Sequence, residues 1–282
     1  MATHSARIDA LAGALADLGH DGIARFDEYE PEYKTLTVLN RRFDSDAHLA
    51  LLSVTAGLSD FQLAIDAQAY WESLRQVALD HGSLNSIEDV KTIMDVFMDE
   101  PVNARYTQMK RGRLSKLYDY GYPEWFVETY PDHEPRKVWE EAAIGLGGKN
   151  KMNQKTVVLG MKIYDIHNLI VNGEYLDFPD DIAIPCDTHV QRVAVFVGLT
   201  STEDPDVVRA RWTDVADRVS QILGEPISLL RIDSIVFQFG QIVSRESFDR
   251  GRAYDEFVSH AGHVGIEQGK AERLAEELTA NL

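Results

Sequence analysis

Lys155 stands where a glycine-rich turn gives way to an apolar run. The stretch GLGGKNKMNQKTVVLG (Gly145 to Gly160) puts Thr156, Val157, Val158 and Leu159 directly behind it. A lysine stem that enters apolar surroundings disfavours the ammonium, and the neutral amine is a nucleophile toward electrophilic carbon. A lysine beside a turn also suits a phosphate contact, and the residues alone leave both roles open. Lys162 lies two helical turns further on, on the same face, and is a second candidate amine. Downstream, IPCDTHVQRV (Ile184 to Val193) sets Asp187 at the mouth of a helix-like pattern of Val190, Val193, Ala194 and Val197. Its carboxylate can accept N–H bonds from the first turn and gains from the helix dipole. It is either a plain cap or a fixed negative charge placed beside a reaction that builds positive charge.

These residues need a helical frame, and most of the chain supplies the pattern for one. Apolar residues recur at three- and four-residue spacing over His48–Ala64, in AQAYWESLRQVALDH, SIEDVKTIMDVFMD and NARYTQMKRGRLSKLYDY, and again from NQKTVVLG through to the C-terminus. Ser86 with Asp89 reads as a capping box. GYPEWFVETYPDHEP reads as a Tyr/Pro-rich bend, and YKTLTVLNRRF (Tyr33 to Phe43), β-branched and partly alternating, reads as a strand or short hairpin. The acidic FDEYEPEY (Phe26 to Tyr33) reads as solvated surface. The expected class is all-α in two helical lobes, with residues 1–45 as an N-terminal extension and 46–282 as the helical domain. Trp125, Trp139 and Trp212 are expected as packing anchors, and His167 as a surface histidine.

Composition narrows the function. The lone cysteine, Cys186, excludes an intramolecular disulfide framework and a four-cysteine metal or iron–sulfur site. DTH (Asp187 to His189) and SHAGH (Ser259 to His263) lack a third ligand at metal spacing, so neither a metal nor a cofactor is expected. No apolar stretch is long enough to span a bilayer and no secretory leader is legible, so a cytoplasmic, monomeric, membrane-independent protein is expected. Net charge is −18, from 46 acids against 28 bases, only 10 of them lysine. Taken at face value this opposes nucleic-acid binding. An acidic, lysine-poor surface also suits a cell with molar salt, where the screening length falls to about 3 Å and overall charge repels DNA little. Two basic stretches free of acids stand out: QMKRGRLSK (Gln108 to Lys116), and the turn holding Lys149 and Lys151. The turn's Gly145, Gly147 and Gly148 could present backbone N–H groups to a phosphate.

The glycine-rich turn, the lysine-bearing helix and the P-x-D-x-H-V run together resemble the helix-hairpin-helix DNA glycosylase superfamily. Within it the chain is most similar to the archaeal 8-oxoguanine DNA glycosylase (AGOG) family of N-glycosylase/DNA lyases. FQLAIDAQAYW (Phe61 to Trp71), QKTVVLGMKIY (Gln154 to Tyr164) and IDSIVFQFGQ (Ile232 to Gln241) carry the likeness, as does the 32-residue separation of Lys155 from Asp187. It covers roughly Leu49 to Phe248. The resemblance implies a helix-hairpin-helix glycosylase fold, two helical lobes around a base pocket. It implies Lys155 as the nucleophile that forms a Schiff base, and Asp187 as the carboxylate that stabilises the oxocarbenium-like sugar. It implies Gln62, Lys162 and Asp233 near the flipped base and DNA, single- or double-stranded, as the partner. Where the family carries an aromatic four residues after the nucleophile this chain has Leu159, and where it carries tryptophan this chain has Phe237. The lesion pocket is therefore the part that departs most. Two other readings of the same residues are a non-enzymatic helical DNA-binding module and a monofunctional glycosylase for another lesion.

Overall fold

A computed structural model gives the structure and describes residues 4–282. The described residues form fourteen α-helices and two short 3-10 turns, with no strand. The chain separates into two compact units. One joins the N-terminal segment up to Tyr29 with Asp180–Leu282, and the other is Glu30–Pro179.

The unit of Glu30–Pro179 holds α2 (Pro31–Arg42), α3 (Asp46–Ser59), α4 (Ala67–His81), α5 (Ile87–Met98), α6 (Thr107–Asp119), α7 (Tyr122–Thr129), α8 (Pro135–Gly145) and α9 (Lys155–Asn172). Its centre is α3 against α9, both buried over most of their length. α3 is buried around its whole circumference from Leu49 to Ser59, as befits a central helix, and its buried Ser53 and Thr55 hydroxyls donate to carbonyls of the preceding turn. Glycines set how closely the two helices cross. A Cβ on Gly57 would lie 2.9 Å from Gly160 Cα and 2.8 Å from Ile163 Cγ1, and one on Gly160 would lie 2.9 Å from Leu58 Cδ2. Ser86 caps α5 by accepting from Asp89 N at 3.1 Å, as its spacing predicts.

The other unit holds α1 (His4–Tyr29), α10 (Thr188–Phe196), α11 (Pro205–Leu223), α12 (Leu229–Arg245), α13 (Arg250–Val264) and α14 (Gln268–Leu278). α1 kinks at Gly19, whose φ of 68° is left-handed, and it lays Leu11, Leu15, Ile23 and Phe26 into the core beside Trp212 and Phe239. α10 meets α12 at Gly240, where a Cβ would lie 2.9 Å from His189 Cβ.

Four expectations are corrected. Tyr33–Phe43 is not a strand: Pro31 opens α2, and Glu32, Thr35, Leu36 and Leu39 bury one helical face. A short apolar run fits either period, and tertiary packing decided it. The Tyr/Pro-rich bend contains a helix, α7, with Pro123 at its start, where its missing N–H costs nothing. Residues 1–45 were set apart as an extension, whereas the chain divides at Tyr29 and Pro179 and α1 is a core helix of its unit. The acidic FDEYEPEY is not a solvated face either, because Asp27, Glu30 and Glu32 are buried. Trp139 and Trp212 are core residues as expected, while Trp125 is half-buried and stacks on His133.

Candidate active site

The lysine helix is built as a hairpin: α8, a glycine turn, a 3-10 turn (Lys149–Lys151), then α9. The glycines do not form the phosphate cradle expected of them. Gly145 lies in α8, where a Cβ would crowd Leu117 and Tyr120 at 3.0 and 3.1 Å. Gly147 (φ 117°) donates its N–H to Ile144 O at 2.8 Å and Gly148 (φ 136°) to Ala143 O at 3.0 Å. These bonds satisfy carbonyls that a helix end leaves unpaired. Lys151 folds back onto Leu146 O, Lys149 pairs with Glu140 at 2.9 Å, and Trp139 Nε1 donates to Met152 O at 2.7 Å. The turn is thus a braced elbow that fixes where α9 begins.

Lys155 is the first residue of α9 and is half-buried. Leu159, one turn on, is half-buried, and Lys162, on the same face, is only 2 % exposed. Arg113 braces this first turn, donating to Thr156 Oγ1 at 2.6 Å with its guanidinium 5.2 Å from the Phe61 ring centre. Lys110, 0 % exposed, donates to Asn103 Oδ1 at 2.7 Å and lies over the Phe61 and Tyr70 rings at 5.4 and 5.6 Å. Burial lowers Lys110 to about 8, opposed by the charge of Asp60. The basic run Gln108–Lys116 is therefore largely structural, with Arg111 paired to Asp95 and Asp99.

Asp60 ends α3 and accepts the Trp71 indole N–H at 3.1 Å. Burial pushes its carboxyl above the ordinary aspartate range, while Lys155, the Trp71 N–H, Lys110 and Lys162 pull it down. Glu32 is raised well above the glutamate range by burial and by Glu30, with Lys162 opposing. Gln62, two residues after Asp60, is exposed in the left-handed region at φ 48°. A non-glycine residue held there marks a loop whose shape its surroundings enforce.

In the other unit Asp187 caps α10, accepting from Val190 N at 3.0 Å, and is half-buried. His189, on the first turn of α10, meets Phe237 edge-on at 5.9 Å. Asp233, buried, lies one turn before Phe237 on α12, and both Asp187 and Asp233 lie within electrostatic range of Cys186. The structure thus gathers Lys155, Leu159, Lys162 and the Gln62 loop in one unit, and Asp187, Asp233 and Phe237 in the other. Sequence reading gave no individual site role to Asp60, Trp71, Lys110 or Glu32. Asp60 directly precedes the FQLAIDAQAYW motif and Trp71 ends it; nothing local marks Lys110 and Glu32 as buried. His167 is also corrected, being fully buried on α9 and not at the surface.

Among the described residues no helix is long and apolar enough to cross a membrane, and no group of three or more His, Cys, Asp or Glu is placed to hold a metal. A model of the family described as AGOG: N-glycosylase/DNA lyase matches residues 12–276. The likeness therefore reaches well beyond Leu49–Phe248 and takes in most of the supposed extension. An N-glycosylase/DNA lyase of Thermococcus kodakarensis is 23 % identical over 242 residues, 83 % of this chain and 84 % of that protein. One of Methanococcus maripaludis is 22 % identical over 221 residues, covering 75 % and 78 %. The crystal structure of 8-oxoguanosine-complexed Pa-AGOG, an 8-oxoguanine DNA glycosylase from Pyrobaculum aerophilum, superposes with a TM-score of 0.71 at 17 % identity, over 97 % of both chains.

Proposed function

Because the chain belongs to the AGOG family of N-glycosylase/DNA lyases, we propose that it excises 8-oxoguanine from DNA and cuts the strand through a Schiff base on Lys155. The observation that carries the residue assignment is the start of α9: a half-buried lysine on the first turn of an apolar helix, fixed by a braced elbow. A base inside a duplex is out of reach, so the lesion must be extruded. The neutral amine of Lys155 attacks C1′ and the C1′–N9 bond breaks, its electron pair and a proton leaving with the base. The ring then opens to an imine. Loss of a 2′ proton with expulsion of the 3′ phosphate completes β-elimination.

Asp187 is assigned the fixed carboxylate that stabilises positive charge on the sugar. Gln62, Lys162 and Asp233 are assigned to the base, and Lys149 and Lys151 to the DNA backbone. Lys162 is the weaker nucleophile candidate, because it is buried among the carboxylates Glu32 and Asp60. Leu159 and Phe237 leave less aromatic surface for stacking the base than the family pattern has. The protein acts as a cytoplasmic monomer in a high-salt cell, in keeping with its charge of −18.

The test is a single-turnover reaction on an 8-oxoguanine duplex, following released base and nicked strand separately at low and molar salt. Release with nicking, both lost in Lys155→Gln, supports the proposal. Release without nicking would favour a monofunctional glycosylase, and binding with neither would leave a DNA-binding module.

A further inference from the structure

Arg113, on α6, reaches two segments that the proposed mechanism uses separately. Its Nη2 donates to Thr156 Oγ1 at 2.6 Å and its Nη1 to Gln154 Oε1 at 3.4 Å. These residues stand on either side of Lys155, so the guanidinium fork spans the turn that carries the amine. Gln154 is the N-cap residue of α9, yet its side chain makes no cap bond; its oxygen goes to Arg113 instead. The same guanidinium lies over the Phe61 ring, 5.2 Å from its centre and within cation–π range, and Phe61 directly precedes Gln62. Lys110, one turn earlier on α6, lies over that ring as well at 5.4 Å and is anchored on Asn103. The far side of the loop is tied to the 3-10 turn Pro101–Asn103 by Ala64 N, which donates to Val102 O at 3.0 Å. Gln62 stands between these two ties, at its left-handed φ of 48°.

We propose that Arg113 is a positioning residue that locks the Lys155 turn to the Gln62 loop, so that the nucleophile and the loop assigned to the base keep one register. The inference rests on the proposed reading of Lys155 as the nucleophile. A planar fork suits the task, because one group holds two acceptors through its N–H groups and covers a ring besides. Lysine carries the same charge as a point and cannot span both acceptors in that geometry. An amine displaced by a fraction of an ångström reacts more slowly at unchanged affinity, because attack on C1′ depends on alignment. The lock predicts an effect that separate ties would not give. Loosening Phe61 disturbs Lys155 through Arg113, even on DNA that offers Gln62 no base.

The experiment is covalent trapping by cyanoborohydride on an abasic-site duplex, rate against protein concentration, which gives a saturated rate and a half-saturating concentration. The variants are Thr156→Val, Thr156→Ser, Phe61→Leu, Arg113→Lys, Arg113→Gln, the Phe61→Leu/Arg113→Gln double and Lys155→Gln, with melting temperatures alongside. Thr156→Val, Phe61→Leu, Arg113→Lys and Arg113→Gln are each expected to lower the saturated rate about tenfold at a half-saturating concentration close to wild type. Thr156→Ser keeps the acceptor oxygen and the wild-type rate. Adding Phe61→Leu to Arg113→Gln costs nothing further, because the link is already cut. A wild-type saturated rate in Arg113→Gln, with only the half-saturating concentration raised, overturns the proposal and leaves Arg113 a phosphate contact. A wild-type rate in Phe61→Leu, or a double variant slowed by the full product of the two single effects, overturns it as well. Should Arg113→Gln not fold, the Thr156 pair and Phe61→Leu decide it: a slow Thr156→Val beside a wild-type Thr156→Ser, with Phe61→Leu slow too, supports the lock, and equal rates in the Thr156 pair overturn it. Undiminished trapping in Lys155→Gln is a separate outcome, the failure of the nucleophile assignment.

Discussion

At the residue scale, two functions overlap in Asp187 and can be separated. Its side chain caps α10 through Val190 N, which any oxygen acceptor can do, whereas stabilising a sugar cation needs the charge. Asp187→Asn is expected to leave the melting temperature nearly unchanged and to slow base release on the order of 100-fold. Asp187→Ala is expected to lose about 1 kcal/mol of stability besides. Equal melting temperatures and equal rates for Asn and wild type would leave Asp187 a cap only. Leu159 offers a gain-of-function test. Leu159→Phe restores a ring one turn after Lys155 and should tighten 8-oxoguanine duplex binding by about 1 kcal/mol, measured against undamaged duplex. The places of Lys155 at the start of α9 and of Asp187 as the cap of α10 were legible because a turn and a helix start are local signals. Asp60 and Glu32 were not, because only the packing of α3, α2 and α9 makes them neighbours of lysines distant in sequence.

At the element scale, α9 carries both the proposed chemistry and much of its unit's core. The Gly57–Gly160 contact is backbone against backbone, so it cannot relax by rotating a side chain. Gly57→Ala should destabilise by about 1–3 kcal/mol, read as a fall in denaturation midpoint. His167, on the same helix, is 0 % exposed and has no hydrogen-bond partner for either ring nitrogen. Burial lowers it to about 3, against an ordinary value of 6.5. Between those values the unfolded chain binds a proton that the folded one refuses. Stability is therefore full above about 6.5 and falls, by up to about 1.4 kcal/mol per pH unit, as pH drops toward 3. His167→Leu should flatten that slope, and an unchanged acid profile would show that His167 does not set it. The helical periodicity of α9 was plain in NQKTVVLGMKIYDIHNLIV, but the burial of His167 and Lys162 was not, since polar residues on an apolar helix read as its wet side until the packing around them is known.

At the scale of the whole molecule, the all-helical class and the family were readable from periodicity and three motifs. The division of the chain was not. Its N-terminal helix joins Asp180–Leu282 in one unit, a union of chain ends that no local composition shift announces. Net charge of −18 bears on how such a chain meets DNA at all. If the acidic surface is a salt adaptation, base release at molar salt should equal or exceed that at low salt, against the steep loss that phosphate-driven binding ordinarily shows. The most direct test of the central claim is borohydride trapping on 8-oxoguanine and abasic duplexes with wild type, Lys155→Gln and Lys162→Gln. The account predicts a covalent protein–DNA adduct on both duplexes, lost in Lys155→Gln and kept in Lys162→Gln. An adduct that survives Lys155→Gln, or none on either duplex at any salt, would contradict it.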